Sequence, residues 1–294
     1  MICLTGSEGQ LGLHIQNQLK INGYEYLSLN KNTLDITNNK SIKKYFEDKN
    51  ISLLINAAAY TNVDKAESDS KSAFLVNEKG PRYLSEVCNS FDAPIIHIST
   101  DYVFDGLNDC PYKPGDKTNP KSVYGKSKLA GEEAIISNAN SYILIRTSWV
   151  FSEYRKNFFN TIFNLAKKND TLRVVSDQFG SPTYAGDLAK AIVSIIPTIH
   201  LTQKIRATYH YGGDQICTWY DFANEICKEA FATKALIKIP KIIPVSSDEF
   251  LTPAKRPKYS ALDSSEFCKS FSLNNSNWRT ALKNIFKNLE SQKD

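Results

Sequence analysis

Leu4-Thr5-Gly6-Ser7-Glu8-Gly9-Gln10-Leu11-Gly12 decides the fold of this chain. The apolar run Ile2–Thr5 reads as a buried strand and the amphipathic stretch Leu11–Lys20 as a helix, so the three glycines lie in a strand-to-helix turn. That context gives each glycine a task. Gly6 permits a tight turn, Gly9 lets backbone approach a pyrophosphate, and Gly12 lets the helix pack closely on the strand. The helix N-terminus, between Gly9, Gln10 and Leu11, offers unpaired N–H groups and a partial positive charge to phosphates.

Working outward, short apolar runs alternate with longer amphipathic stretches through the first two-thirds of the chain. Strands are expected at Ile2–Thr5, Tyr24–Leu29, Leu53–Ala57, Pro94–Ser99, Tyr142–Arg146 and Arg173–Val175. Helices are expected at Leu11–Lys20, Ser41–Asp48, Ser70–Asn89, Val123–Asn138, Asn157–Lys167 and Asp187–Ile196. Strands that are nearly all apolar are buried on both faces, so the fold class is α/β, a doubly wound parallel sheet of Rossmann type. After residue 197 the rhythm loosens through a polar stretch at His200–Arg206, a helix near Tyr220–Phe231 and Pro- and Lys-rich segments at Lys238–Pro244 and Thr252–Tyr259. Residues 1–197 are therefore expected to form a dinucleotide-binding domain. Residues 198–294 are expected to be mainly a smaller substrate-binding lobe, with lobe segments interleaved from about 150.

Composition narrows the class of function. With 41% hydrophobic and 23% charged residues the chain is an ordinary globular one. No apolar run reaches the roughly 18 residues that span a bilayer, and the strand-like start leaves no room for a leader, so a cytoplasmic protein without membrane contact is expected. The six cysteines are scattered, with no C-x-x-C pair and no histidine at metal spacing, which reads as reduced thiols and no metal. A net charge of +5 spread along the chain argues against a nucleic-acid surface and fits a small anionic ligand.

At the end of the second strand, where NAD-selective folds carry a carboxylate for the ribose 2′-OH, this chain has Asn30 and Lys31. The strand therefore ends without an acid to repel a 2′-phosphate, and either NADPH or NADH is expected to bind. Asp35 and Ile36 follow in a loop, positioned either to bracket an adenine ring or, for Asp35, to cap the next helix.

The strand through His97 and Ser99 runs into Thr100-Asp101-Tyr102, and further on comes Tyr124-Gly125-Lys126-Ser127-Lys128. A tyrosine and a lysine four apart project from one helix face, which lets the ammonium approach the phenol. A neighbouring cation favours the phenolate, so Lys128 is expected to lower the pKa of Tyr124 towards neutrality for acid–base work. Thr100, at a strand's C-terminal end, is suited to hold a carbonyl oxygen.

With glycine turn, Thr100 and Y-x-x-x-K in this order, the chain resembles the extended short-chain dehydrogenase/reductase family. The resemblance is strengthened by Asn56-Ala57-Ala58-Ala59-Tyr60-Thr61-Asn62-Val63-Asp64, by Ser99–Gly106, by Arg146-Thr147-Ser148-Trp149-Val150-Phe151 and by Asp177–Thr183. These segments resemble the branch that reduces a dTDP-linked 4-keto-6-deoxyhexose to supply surface polysaccharide. That resemblance implies that Thr100, Tyr124 and Lys128 are catalytic. It implies that Gly9, Gln10 and Leu11 contact the cofactor pyrophosphate, and Asp35 and Ile36 its adenine. Ala58, Ala59, Tyr60 and Thr61 would lie between cofactor and substrate, and Lys128 would also hold the nicotinamide ribose. Thr100, Asp101 and Tyr102 would touch the hexose and Trp149 the thymidine, for which an indole face is a flat platform.

Three other readings are weighed. Sugar dehydratases of the family need a Glu after the Asp, and Tyr102 stands there instead. A reductase or epimerase of another nucleotide-linked keto sugar, and a non-catalytic regulatory subunit that keeps the nucleotide fold, remain as alternatives. The chain is expected as a monomer or homodimer. Some relatives are metal-bridged through an acid early in the first helix, and the matching position here is His14.

Overall fold

The computed structural model describes residues 1–201 and 204–291, so residues 202–203, within the polar stretch above, and the lobe's last residues, 292–294, lie outside the described residues. β1 (Ile2–Thr5) leads through the glycine turn into α1 (Gln10–Ile21), followed by β2 (Tyr26–Leu29), α2 (Asn39–Phe46) and β3 (Leu53–Asn56). α3 (Val63–Ser68), α4 (Ser70–Phe74), a π-helical segment (Leu75–Lys79) and α5 (Gly80–Ser90) lead to β4 (Ile95–Thr100). A short 3-10 turn (Asp101–Val103) and a loop precede α6 (Val123–Asn138) and β5 (Tyr142–Thr147). Then come β6 (Val150–Phe151), α7 (Phe158–Ala166), β7 (Thr171–Val175), β8 (Phe179–Gly180), β9 (Thr183–Tyr184), α8 (Ala185–Ser194), α9 (Ile196–Leu201) and β10 (Arg206–His210). The chain closes with β11 (Cys217–Thr218), α10 (Trp219–Ala232), β12 (Lys241–Val245), α11 (Ser265–Phe271) and α12 (Trp278–Ser291).

Six strands form one parallel sheet in the order β10-β5-β4-β3-β1-β2. Alternate residues of one strand enter different cores, as the pleat requires. Ile2, Leu4, Leu53, Ile55, Ile143 and Ile145 pack on the side of α1, α8 and α9, whereas Cys3, Leu54, Tyr142 and Leu144 pack on the side of α2, α5 and α6. Both faces are covered, which is the doubly wound arrangement. The chain reverses direction across the sheet between β1 and β3, and the crevice beyond the C-terminal ends of these strands is where such sheets bind ligands.

Two expectations change here. Arg173–Val175 is a strand, but within β7, which pairs with β12 in a separate two-stranded ladder. The sixth strand of the main sheet is β10, from beyond residue 197. The stretch expected as one helix from Ser70 is α4, the π-helical segment and α5 in succession. A second core, built on Phe151, Phe159, Phe222, Trp278 and Phe286, gathers β6, α7, α10 and α12 into a lobe that interleaves in sequence with the sheet domain. All six cysteines are free. Among the described residues, no helix is long and apolar enough to cross a membrane.

Candidate active site

All the residues named from the sequence as site candidates, from Gly6 to Trp149, line one cavity of about 790 Å³ at the C-terminal ends of the sheet strands. The glycine turn forms one end. Gly6 has φ +71°, in the left-handed region that favours glycine, and a Cβ there would lie 2.5 Å from the backbone of Ala57 and Ala58 beyond β3. Gly12 packs against the carbonyls of Gly6 and Ser7, that is, against the turn itself rather than the strand. Gly9 caps α1 with extended backbone and no side-chain hydrogen bond, so the helix N-terminus opens to the cavity with Gln10 and Leu11 behind it. This cradle of free helix N–H groups beside a side-chain-free turn fits the pyrophosphate of a dinucleotide.

The end of β2 is more complicated than its sequence. Asn30 accepts N–H bonds from Asn32 and Thr33 through Oδ1, shaping the turn, and its Nδ2 donates to Glu8 Oε1 at 2.7 Å. An acid does therefore stand near Lys31, contributed by the glycine turn instead of the strand. Basic groups face it, because Lys31, Arg155 and Lys156 line the same cavity and Arg155 Nε donates to the Glu8 carbonyl at 2.8 Å. Asp35 does not cap α2; Asn38 does, accepting from the Ser41 N–H. The Asp35 carboxylate instead accepts from the N–H and hydroxyl of Thr37, and these bonds hold its pKa below the usual carboxylate value against the burial that raises it. Ile36 is buried against Gly80.

The loop after β3, carrying Ala58, Ala59, Tyr60 and Thr61, is held from two sides. Asn56 Oδ1 accepts the Ala58 N–H at 3.1 Å, and Asn77 Oδ1 accepts the Tyr60 N–H at 2.8 Å. Asn77 lies in the π-helical segment and is fully used, since its Nδ2 donates to the Tyr60 carbonyl and to Ser127 Oγ on α6.

Tyr124 and Lys128 project from one face of α6, which Ser122 caps by accepting the Gly125 N–H. The Tyr124 side chain lies beside Thr100 and meets the Tyr102 ring edge-on at 5.4 Å. Burial pushes the Tyr124 phenol well above its ordinary pKa, with Asp101 and Tyr102 adding to it. The expected lowering by Lys128 does not occur here. Lys128 Nζ is turned to the sheet, donating to the Ile98 carbonyl at 2.6 Å, and burial brings its own pKa down to about 8 against the pull of Glu132. Asp101, also buried, rises to about 6 although its Oδ1 accepts from the Thr100 hydroxyl at 2.9 Å; its Oδ2 is buried without a hydrogen-bond partner. Thr147, opposite Thr100 in the β4–β5 register, presents a buried hydroxyl with no hydrogen-bond partner to the cavity.

The lobe supplies the far wall. Trp149 adopts φ +47° and stacks on Trp219 with ring centroids 3.4 Å apart and planes within 5°, so one of its faces is already covered. A Cβ on Gly180 would come within 2.6 Å of the Trp149 Nε1. Arg256 donates to the Tyr102 hydroxyl at 3.1 Å and to Asp64 at 2.9 Å, tying the lobe to α3 and the turn after β4. Neither Trp219 nor Arg256 was legible as a site residue, although Arg256 falls in the basic stretch noted at Thr252–Tyr259. His14 lies outside the cavity, buried on α1, with Nε2 3.0 Å from Ser152 Oγ and 3.4 Å from Glu153. Among the described residues no group of three or more His, Cys, Asp or Glu could hold a metal ion.

The pattern of the RmlD substrate binding domain family matches residues 1–291. The chain belongs to that family. It is similar, at 42% identity over 97% of each chain, to dTDP-4-dehydrorhamnose reductase from Aggregatibacter actinomycetemcomitans. Among solved structures, a dTDP-4-dehydrorhamnose reductase from Clostridium acetobutylicum superposes with a TM-score of 0.90 at 38% identity, covering 98% of this chain and 99% of that one. The Bacillus anthracis dTDP-4-dehydrorhamnose reductase, in complex with NADP, does so with a TM-score of 0.88 at 34% identity and 98% coverage of both. In this RmlD-family chain the cavity brings a phosphate cradle and a buried Thr–Tyr pair into one space.

Proposed function

We propose that this chain reduces the C4 keto group of dTDP-4-dehydro-L-rhamnose, with NADPH or NADH, to give dTDP-L-rhamnose for surface polysaccharide. The observation that carries the reading is that Thr100, Tyr124 and Lys128 line one cavity together with the glycine turn. The nicotinamide, when bound, supplies the hydride. This chain's residues do the rest. Tyr124 offers its hydroxyl to the carbonyl oxygen as negative charge grows there, and Thr100 would turn its proton from Asp101 Oδ1 to the same oxygen; such donors stabilise that charge most strongly where water is excluded. A phenol whose pKa is raised by burial rests in its protonated form, which suits it to donate a proton to the forming alkoxide. Lys128 is assigned to the nicotinamide ribose, Asp35 and Ile36 to the adenine, and Trp149 with Trp219 to the base of the sugar nucleotide.

The same reading has the enzyme working in the cytoplasm, as a monomer or homodimer, without nucleic acid or membrane. Purified protein offered dTDP-4-dehydro-L-rhamnose with each cofactor should oxidise it in a substrate-dependent manner and release dTDP-L-rhamnose. Binding of nucleotide without turnover would favour a regulatory subunit instead.

A further inference from the structure

Behind the cavity, Asn56 at the end of β3, His97 in β4 and Lys128 on α6 form a chain of buried polar side chains, none more than 2% exposed. Its polarity can be read from one end. The backbone N–H of Ala58 can only donate, and it donates to Asn56 Oδ1, as does the Thr5 hydroxyl at 2.7 Å. The amide oxygen of Asn56 is thereby fixed on that side and its Nδ2 on the other. Nδ2 lies 2.9 Å from His97 Nδ1 and can only donate, so Nδ1 is the ring's unprotonated nitrogen and the proton is on Nε2. His97 Nε2 in turn lies 3.5 Å from Lys128 Nζ. An ammonium carries donors alone, whereas an amine has a lone pair to receive that N–H.

We infer that His97, locked in one tautomer by Asn56, is a positioning residue that presents a ring N–H to Lys128 Nζ and so makes the ammonium give up its proton more readily than an exposed lysine does. The amine then receives from His97, donates to the Ile98 carbonyl and keeps an N–H for the cavity. The other ionisable groups around it do not reverse this. Glu132, one turn along α6, pulls towards the ammonium, but its carboxylate is engaged by Arg146 at 2.7 Å and by Ser99. Asp101, from the turn after β4, is turned to the Thr100 hydroxyl, and Tyr124 is held in its neutral form. His97 itself cannot take a second proton without setting N–H against N–H at Asn56, and burial and Lys128 keep its pKa well below the ordinary value. Lys128 thus exchanges its proton closer to neutral pH than an exposed lysine does. That consequence for catalysis rests on the role given to Lys128 above; the tautomer and the titration do not.

The test is magnetic resonance on the full chain with isotope-labelled lysine and histidine, with the Lys128 signal identified by its loss in Lys128→Met. Long-range nitrogen–proton correlations should show the Nε2–H form of His97, and Lys128 should titrate about two units below the surface lysines. Asn56→Asp keeps the acceptor for Thr5 and Ala58 but offers an oxygen to Nδ1, so the ring proton should move there and the Lys128 titration should rise by about one unit or more. An Nδ1–H ring in the unsubstituted protein, a Lys128 titrating with the surface lysines, or an unchanged Lys128 in folded Asn56→Asp would overturn the inference. If Asn56→Asp does not fold, the two measurements on the unsubstituted chain decide it. No part of this test uses turnover, so failure of the reductase reading would show separately, as absence of substrate-dependent cofactor oxidation.

Discussion

Asn77 and Tyr60 form a reciprocal pair: the Tyr60 N–H donates to Asn77 Oδ1 at 2.8 Å and Asn77 Nδ2 donates back to the Tyr60 carbonyl at 3.1 Å. The pair mimics a strand ladder between a loop and a side chain. Because Nδ2 also reaches Ser127 Oγ, whose hydroxyl donates to the Tyr124 carbonyl, the loop and α6 share one buried anchor. Asn77→Ala removes that anchor and leaves partly buried backbone groups unpaired, at a cost of about 1–3 kcal/mol. Cofactor affinity, measured by direct titration, should fall about tenfold, together with a lower melting temperature. A stability loss with unchanged cofactor affinity would mean that Asn77 is scaffold alone.

Lys128 carries a second, thermodynamic consequence. Its folded pKa of about 8 lies below the 10.5 of an exposed lysine, so the folded state disfavours the ammonium. The penalty is present in full at pH values below 8 and is relieved as pH rises from 8 towards 10.5. Lys128→Met keeps the apolar stem and drops the charge, so the variant should be more stable at neutral pH by on the order of 1–3 kcal/mol, while losing turnover. The gain should shrink as denaturation is repeated at higher pH. Equal or lower stability of Lys128→Met at neutral pH would show that the bond to Ile98 outweighs the burial of charge.

Cofactor choice follows from the charges at the end of β2. Lys31, Arg155 and Lys156 line the cavity there, and of the two carboxylates that join them Glu8 is bound by Asn30 and Asp35 by Thr37. NADPH should therefore serve at least as well as NADH. Lys31 is exposed, so Lys31→Ala should lower kcat/KM for NADPH by no more than about fivefold and leave NADH unaffected, while Glu8→Gln should move the ratio towards NADPH. An about hundredfold preference for NADH, or a Glu8→Gln variant that favours NADH, would contradict this account.

What the sequence made legible is local, or periodic. The glycine turn, the strand ending in Thr100 and the Tyr124/Lys128 pair are read within a few residues of themselves, and each stands in the cavity. The sixth strand was hidden for a physical reason. Arg206-Ala-Thr-Tyr-His is an edge strand with only His210 fully buried, so it lacks the apolar run that marks β3 or β4. β7 alternates exposed and buried residues as any half-buried strand does, and nothing in that pattern tells which sheet it joins. Asn77, His97, Trp219 and Arg256 are single residues on otherwise ordinary elements. Their meaning comes from partners distant in the chain, such as Arg256 and Tyr102, and no spacing rule reaches across that interval.

Tyr124 permits the sharpest test of the chemistry. The ring is buried against Tyr102 beside Thr100, so Tyr124→Phe preserves the packing and deletes one oxygen. If that oxygen is the proton donor, turnover should fall by about 10² to 10⁴-fold with folding and cofactor affinity little changed. A residue of structural importance alone would behave in the opposite way, since its replacement costs stability and spares the chemical step. Thr100→Val should lower turnover less, because it removes a stabilising hydroxyl but keeps the donor. The pH profile separates the two variants further. The raised pKa of Tyr124 keeps it protonated through neutral pH, so the unsubstituted enzyme should lose no activity to Tyr124 ionisation there, and any alkaline limb below the ordinary tyrosine range belongs to another group. Lys128, at about 8, is the candidate for that limb, which should therefore persist in Thr100→Val. Retention of more than about a tenth of turnover in Tyr124→Phe would remove Tyr124 as the general acid and, with it, the reductase mechanism argued from this cavity.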